Sequence, residues 1–492
     1  MSGTHLIGLD VGSQSVKGVL CSPDGKPVAA ASHPCQMTHP ASGWGEQDPA
    51  QWRDGIRAVV RRLLADAGLG PADVSHLGLA CQVDGVVAVD RKLAPLRPAI
   101  IWLDKRAVAQ TGRLVSAVGE DALFETTGLV PDASHTAPKM MWLRDEEPDV
   151  FRSVALLPPP AAYLLGWLTG RPLQDHANAS SSLLYDVSER RWSPRLLAAA
   201  EIDAELLSPI APAHQVAGPL LPEVAADLGL TTGCLAVVGT GDDHGAALGA
   251  GVVEPGLIAD VTGTAEPVGA VAPQLVFDRE RLLETHAHAV DGALFVENPG
   301  FVSGGSVLWL ANALGITQAE VLAAAGDAPP GADGVSFLPT LSGATAPRWN
   351  DRMRGVFYGL SVNHDRRHLS RAVIEGCVNA LRDITARLRA MGLSTSEMRV
   401  VGGGARSPVW LQTKADVCGL PVRPVLGPEP TALGGAMLAA VGAGLFPDAV
   451  SAAASMAVLG AERYEPDAQL SARYDEGYAR YRRLFDAIEA IT

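Results

Sequence analysis

Val238-Gly239-Thr240-Gly241-Asp242-Asp243-His244-Gly245, near the middle of the 492-residue chain, reads as a strand that runs into a glycine-rich turn and then a helix over 246–250. The exit of a strand is where ligands sit in open α/β sheets, and this turn delivers two consecutive carboxylates there. Glycine admits positive φ and lets a substrate approach the backbone closely. Asp242 is therefore the candidate catalytic base, at the bottom of a cleft between two halves of similar size. An ordinary helix N-cap is the plain alternative, since Asp is a favoured capping residue.

The length calls for at least two domains. Hydrophobic residues make up 47% and charged residues 19% of the sequence, with mean hydropathy +0.15, a composition that suits a packed α/β protein. The net charge of −15 argues against nucleic acid or an anionic membrane as main partner, because no basic surplus exists to meet phosphates. A nucleotide needs only a local anion site. Six cysteines without CxxC spacing fit reduced thiols and carry no zinc or disulfide signal. The first residues run straight into a strand with no visible signal peptide, so a cytoplasmic protein is expected. The Ala/Gly-rich stretch 436–459, interrupted by Pro447-Asp448, reads as packed helices and not as a membrane span.

Working outward, residues 6–20 read as strand, polar turn, strand, and Asp24-Gly25 turns into a third strand around 27–31. The turn Gly12-Ser13-Gln14 presents backbone N–H groups of the kind that nest an anion. Asp10, at the end of the first strand, is placed to hold hydrated Mg²⁺, and Lys17 to approach phosphate. A plain hairpin is the competing account. No GxxxxGK[ST] occurs, and Gly239, Gly241 and Gly245 miss the dinucleotide spacing by one residue. Asp48 caps and Pro49 opens a helix that carries Trp52, Ile56, Val59, Leu63 and Leu64 on its apolar face to about Gly68. A buried strand over 74–80 is followed by Gln82-Val83-Asp84-Gly85, polar residues where ligand contacts are expected. A further strand is expected near 86–89 and helices near 106–118, 137–144 and 160–168. Trp102 offers either an apolar wall for a sugar or core packing. The patch 175–182 reads as a lining loop or an exposed cap, and the histidines show no metal-ligand spacing.

The second half opens on Ala259-Asp260-Val261-Thr262-Gly263-Thr264, an echo of Leu9-Asp10-Val11-Gly12-Ser13. Each half begins with a strand, a Gly/Ser/Thr turn and a returning strand, which suggests two related halves that each offer a phosphate-gripping hairpin. A long helix is expected over 368–391. Gly402-Gly403-Gly404-Ala405-Arg406-Ser407 makes a glycine turn between a strand and a helix to about 417, and a last helix pair is expected over 468–491.

In combination these features resemble the FGGY family of carbohydrate kinases over nearly the whole chain. Ser134 to Glu146 matches the first family signature. Gly355 to Leu360, seven residues, then His368 to Glu375 match the second. The resemblance implies two ribonuclease-H-like domains of actin/hexokinase type, here 1–248 and 249–492, with ATP and sugar in the cleft between them. It implies Asp242 as base, Asp10 as the Mg²⁺ site, and Gly12, Ser13, Gln14 and Lys17 at the first phosphate turn. It places Gly263 and Thr264 at the second phosphate turn and Gly403, Gly404, Ala405 and Ser407 at the adenosine. It places Gln82, Val83, Asp84, Trp102 and Asp243 around the sugar.

Within the family the chain is most similar to xylulokinases, which implies ATP-dependent phosphorylation of a ketopentose such as D-xylulose. Those members usually read Gln-Met-His-Gly where this chain has Gln82-Val83-Asp84-Gly85, and Asp-Asn where it has Asp242-Asp243. Tetritol kinases of the family resemble this chain in carrying Asp at the Asp84 position, which implies erythritol or another polyol as the rival substrate. An actin-like ATPase or sensor is the alternative of another class. A small sugar or polyol is the expected partner, with a homodimer left open.

Overall fold

The computed structural model describes residues 4–492. The chain forms two compact units. The first holds the chain up to Val253 with Thr285–Phe295 and Gly427–Ala457; the second holds Glu254–Glu284, Val296–Leu426 and Val458–Thr492. A single cut at residue 248 does not describe this division. The late helix Pro430–Gly442 belongs with the first unit because its backbone lies directly on that unit's strands. A Cβ on Gly8 would come within 1.9 Å of the Ala432 carbonyl oxygen, and one on Gly78 within 2.0 Å of the Gly435 carbonyl oxygen. Bare glycine is what permits a helix to sit that close to a sheet.

The first unit is built on a seven-stranded sheet. Its meander is His5–Val11, Ser15–Cys21 and Pro27–Pro34, paired antiparallel. His5–Val11 also pairs parallel with Val74–Cys81, and that strand pairs parallel with Leu235–Val237 and with the short Thr240–Gly241. The helix Pro49–Ala67 is capped as expected: the Asp48 side chain accepts from Ala50 N–H, and Gly68 ends it in the left-handed conformation. Trp52, Ile56, Val59, Leu63 and Leu64 lie in one core cluster with Ile7, Leu9, Leu77 and Leu79.

The second unit repeats the pattern. Gly256–Thr262 and Ala265–Ala272 form an antiparallel hairpin. The first of these strands pairs parallel with Thr395–Gly402, which pairs parallel with Val422–Pro424. In both units, then, the opening strand of a hairpin lies centrally and parallel to its neighbour in the sheet, and it carries an aspartate, Asp10 or Asp260, within two residues of its end and ahead of a small-residue turn. The echo between 9–13 and 259–264 is thus an echo of topology.

Several expectations are corrected. Residues 86–89 make only isolated bridges, Val86 with Ile100 and Val89 with Pro95 and Leu156. The patch 175–182 contains the short helix His176–Ser180, capped by Asp175 and buried, because Asp175 and the serines find partners inside the fold. One helix, Ser471–Glu489, ends the chain in place of a pair. All six cysteines are free. Among the described residues no single helix is long and apolar enough to cross a membrane.

Candidate active site

The helix at the central stretch begins earlier than the sequence suggests, at Asp242, and runs to Gly249. Its N-cap is Gly241, so the side chain of Asp242 is not a cap; it accepts from the N–H of Asp243 at 3.2 Å. The entry is tight. Gly239 has φ +81°, and a Cβ there would come within 2.5 Å of the Leu79 carbonyl oxygen. A Cβ on Gly241 would meet Val83 at 2.5 Å, so Val83 supports the backbone just ahead of Asp242. Behind this entry the Thr240 hydroxyl donates to Asp175 at 2.7 Å.

Asp242 and Asp243 are half-buried, as is Asp10. Burial, then the charges of Asp243 and Asp10, hold the Asp242 carboxyl well above its ordinary range. Burial and the charge of Asp84 push Asp243 up to about 6. Burial pushes Asp10 up to about 7 against the pull of Lys17, with Glu429 and Asp243 adding to the rise. The fold therefore gathers Asp10, Asp242 and Asp243 close together, and burial with like charge disfavours the ionised form of these three. Lys17 pairs with Glu429 at 3.0 Å, and Glu429 and Asp10 outweigh the effect of burial on its ammonium.

The turn Gly12-Ser13-Gln14 is open to solvent along its length, with Gln14 the most exposed. It is tied to the Gln82 segment through Gln47, whose Nε2 donates to the Ser13 carbonyl at 2.8 Å and whose Oε1 accepts from Gln82 Nε2 at 3.0 Å. Gln82 Oε1 and Asp84 Oδ1 are buried acceptors without a hydrogen-bond donor among the described residues. Asp84 takes a positive φ of 57°, and His135 Nδ1 stands 3.5 Å from its Oδ1. Lys139, fully buried, donates to the carbonyls of Asp84, Ile101 and Ser134. Trp102 is 44% exposed, so it is not a core residue.

In the second unit Gly263 and Thr264 form an exposed turn. Gly402, at φ +87°, and Gly403 are exposed, while Gly404, Ala405 and Ser407 are buried. The Ser407 hydroxyl caps the helix Pro408–Cys418 by accepting from Trp410 N–H at 3.4 Å, so its polar group is already engaged.

Sequence reasoning did not find Glu429, Asp175, Gln47 or the role of Lys139. Their partners lie far along the chain or are main-chain carbonyls, which carry no sequence signal. Lys139 had a pointer in its place inside the Ser134–Glu146 segment, and Asp175 in its place inside the polar patch 175–182.

Two α/β units, each centred on a hairpin whose first strand carries an aspartate near its end, ahead of a small-residue turn, are the frame of a sugar-kinase fold. Residues 5–249 match the N-terminal domain of the FGGY family of carbohydrate kinases and residues 259–443 its C-terminal domain. The chain belongs to that family. It is 31% identical to the xylulose kinase of Escherichia coli (strain K12) over 484 residues, 98% of this chain and 99% of the relative. It is 32% identical to a glycerol kinase of Citrifermentans bemidjiense over 493 residues, 95% of this chain and 96% of the relative. The crystal structure of a xylulose kinase from Rhodospirillum rubrum superimposes with a TM-score of 0.90 at 30% identity, covering 99% of both chains.

Proposed function

We propose that this kinase transfers the terminal phosphoryl group of ATP to a hydroxyl of a ketopentose such as D-xylulose, giving xylulose 5-phosphate, with Asp242 as general base. The observation that carries the reading is the Asp242 carboxylate at the start of its helix, free of a capping role and raised in proton affinity by burial, Asp243 and Asp10. Phosphoryl transfer asks the protein mainly for positioning and charge stabilisation. A base within reach of the attacking hydroxyl typically adds about 10²–10⁴-fold.

In the step, the sugar hydroxyl gives its proton to Asp242 as its oxygen forms a bond to the γ-phosphorus. The bond from that phosphorus to the β-γ bridging oxygen breaks, and ADP leaves with the electron pair. The N–H groups of Gly12 and Gly263 close their own turns on the Ser15 and Ala265 carbonyls, and the neighbouring main-chain N–H groups of Ser13, Gln14 and Thr264 are the ones offered to phosphate oxygens. Asp10 fits Mg²⁺: it is a half-exposed oxygen donor among like charges, where a divalent cation relieves the repulsion. Bound there, Mg²⁺ would supply charge neutralisation on the phosphates. Lys17 adds a second cation near the same turn. Gln82, Asp84, Asp243 and Trp102 line the sugar, and the exposed face of Gly402-Gly403 lies open for the adenosine.

The several relatives named xylulose kinase support D-xylulose. A polyol such as erythritol is the second reading, favoured by Asp84 and Asp243, which add acceptors for hydroxyl protons. An ATPase without a sugar acceptor is the reading of another class. A coupled ADP-release assay over D-xylulose, L-xylulose, D-ribulose, erythritol, ribitol and glycerol, with Asp242→Ala alongside, separates them. One acceptor far above the rest and lost in the variant supports the proposal. ADP release that ignores every acceptor and survives Asp242→Ala sinks it.

A further inference from the structure

Lys414 lies on the helix Pro408–Cys418 of the second unit and is fully shielded from water. Its ammonium donates to Asp260, to Thr262 Oγ1 at 2.5 Å and to Glu266 Oε1 at 3.0 Å. Asp260 and Glu266 are themselves 0% exposed. An ammonium and two carboxylates withdrawn from water are costly unless each finds partners, and here each does. Thr262 donates to Asp260 at 2.9 Å, and Ser303 donates to the second oxygen of Glu266.

These five side chains sit on three backbone segments that meet at the exposed turns. Thr262 immediately precedes Gly263-Thr264. It also pairs in register with Gly402, and a Cβ on Gly404 would meet its side chain at 2.6 Å. Ser303 stands at the start of the helix Gly304–Leu314. The N–H groups of Ser303, Gly304 and Gly305 donate to the carbonyls of Thr264, Gly263 and Thr264 at 3.2, 3.0 and 3.0 Å. The first unit offers a contrast. Asp10 occupies the matching place in its hairpin but stays half-exposed beside other carboxylates. In the second unit the aspartate is closed off and its charge is met from within by Lys414.

We infer that Lys414 is a positioning residue for the nucleotide: its buried ion cluster sets the turn Gly263-Thr264 against the turn Gly402-Gly403, the two open faces a nucleoside triphosphate would lie on. The inference rests on the functional reading above for which face takes the nucleotide. Lys414 itself, 0% exposed, has no surface open to a ligand and acts through the turns. Removing its charge leaves Asp260 and Glu266 buried without a cation, and the turn they hold is free to shift.

The test is calorimetric binding of ADP with Mg²⁺ to the full-length protein, beside kinetics with ATP and D-xylulose. Lys414→Met is expected to weaken ADP binding about tenfold or more, a difference of about 1.4 kcal/mol, and to raise KM for ATP while KM for the sugar stays within about twofold. A general loss of fold would move both KM values and kcat together. If Lys414→Met does not fold, Lys414→Met/Asp260→Leu removes one charge of each sign and leaves the net charge of the cluster as it was, a change that buried ion pairs tolerate better. It is expected to fold and still bind ADP weakly. Either variant, folded and binding ADP as tightly as the parent protein, overturns the inference. A parent protein that binds ADP but phosphorylates no sugar overturns the functional reading, and the comparison of ADP affinities still decides the role of Lys414.

Discussion

The ammonium of Lys139 donates to the main-chain carbonyl of Asp84 at 2.6 Å, and the two residues are 55 positions apart in sequence. The same group also holds the carbonyls of Ile101 and Ser134, so one cation ties the Asp84 turn, the segment before Trp102 and the start of the helix Thr136–Glu146. Burial brings its pKa down to about 8, with Asp84, Asp104 and Asp132 opposing that fall. Lys139→Met keeps the bulk and leaves three carbonyls without their donor, at roughly 1–3 kcal/mol for each buried group left unpaired. The expected outcome is a lower Tm and a KM for the sugar raised several-fold, with KM for ATP little changed. Equal KM values for the sugar in parent and variant would show that the three loops hold their places without it.

Asp243 raises the proton affinity of Asp242, second only to burial. The two carboxylates titrate as a pair, so the acid limb of a pH–rate profile reports both. A base must be deprotonated to act, and a neighbouring negative charge keeps it protonated to higher pH. Asp243→Asn removes that charge. The acid limb of kcat/KM is expected to move to lower pH, whatever the loss in its maximal value. A limb that stays in place or moves to higher pH would mean Asp243 does not act on the group that limits the rate.

What was legible in the sequence was local chemistry. Asp48, Pro49 and Gly68 bound the first long helix because caps are written in adjacent residues. The hairpin at 5–21 is written in its turn. The start of the Asp242 helix was missed by four residues, because Gly241 caps it through backbone geometry alone. The strand expected near 86–89 failed since its partners supply only single bridges. At the site, Asp10, Asp242 and Asp243 were readable as carboxylates at strand ends. Glu429 was not, because nothing near it in sequence points to Lys17. Nor was the Lys414 cluster, whose link to Asp260 spans 154 positions. Pairings of that kind exist only once the sheet has formed.

The contact of Gly8 with the Ala432 carbonyl gives a stability prediction with a built-in control. A Cβ at Gly8 would lie 1.9 Å from that oxygen and 2.5 Å from the Ala436 nitrogen, so helix or strand must move. Overpacking of this kind costs roughly 1–3 kcal/mol or more. Gly112 is a helical glycine whose Cβ would meet nothing within 4 Å, and Ala there gains up to about 1 kcal/mol of helix propensity. Thermal unfolding is expected to show a lower Tm for Gly8→Ala and a higher Tm for Gly112→Ala. Activity should fall in the first as well, since the displaced helix follows directly on Glu429. A Gly8→Ala protein with the parent's Tm would mean the helix and strand separate freely.

The carboxylate cluster also sets how stability responds to pH. Asp10 is near 7 in the folded chain, chiefly through burial, against an ordinary value of 3.8, and Asp243 is near 6 for the same leading reason. Between the ordinary value and the folded one, the folded state holds protons that the unfolded state has lost. The contribution of these groups to stability is therefore complete below about pH 4 and lost as pH rises through 6 to 7. Asp10→Asn removes one of them. With no ligand present, its Tm should fall less between pH 5 and pH 8 than that of the parent, and at pH 8 it should be the more stable protein. Activity should be lost in the same variant, because an amide is a poorer Mg²⁺ ligand than a carboxylate. Differential scanning calorimetry at the two pH values decides it: parallel Tm changes in the two proteins would mean that Asp10 ionises as easily in the folded chain as in the unfolded one.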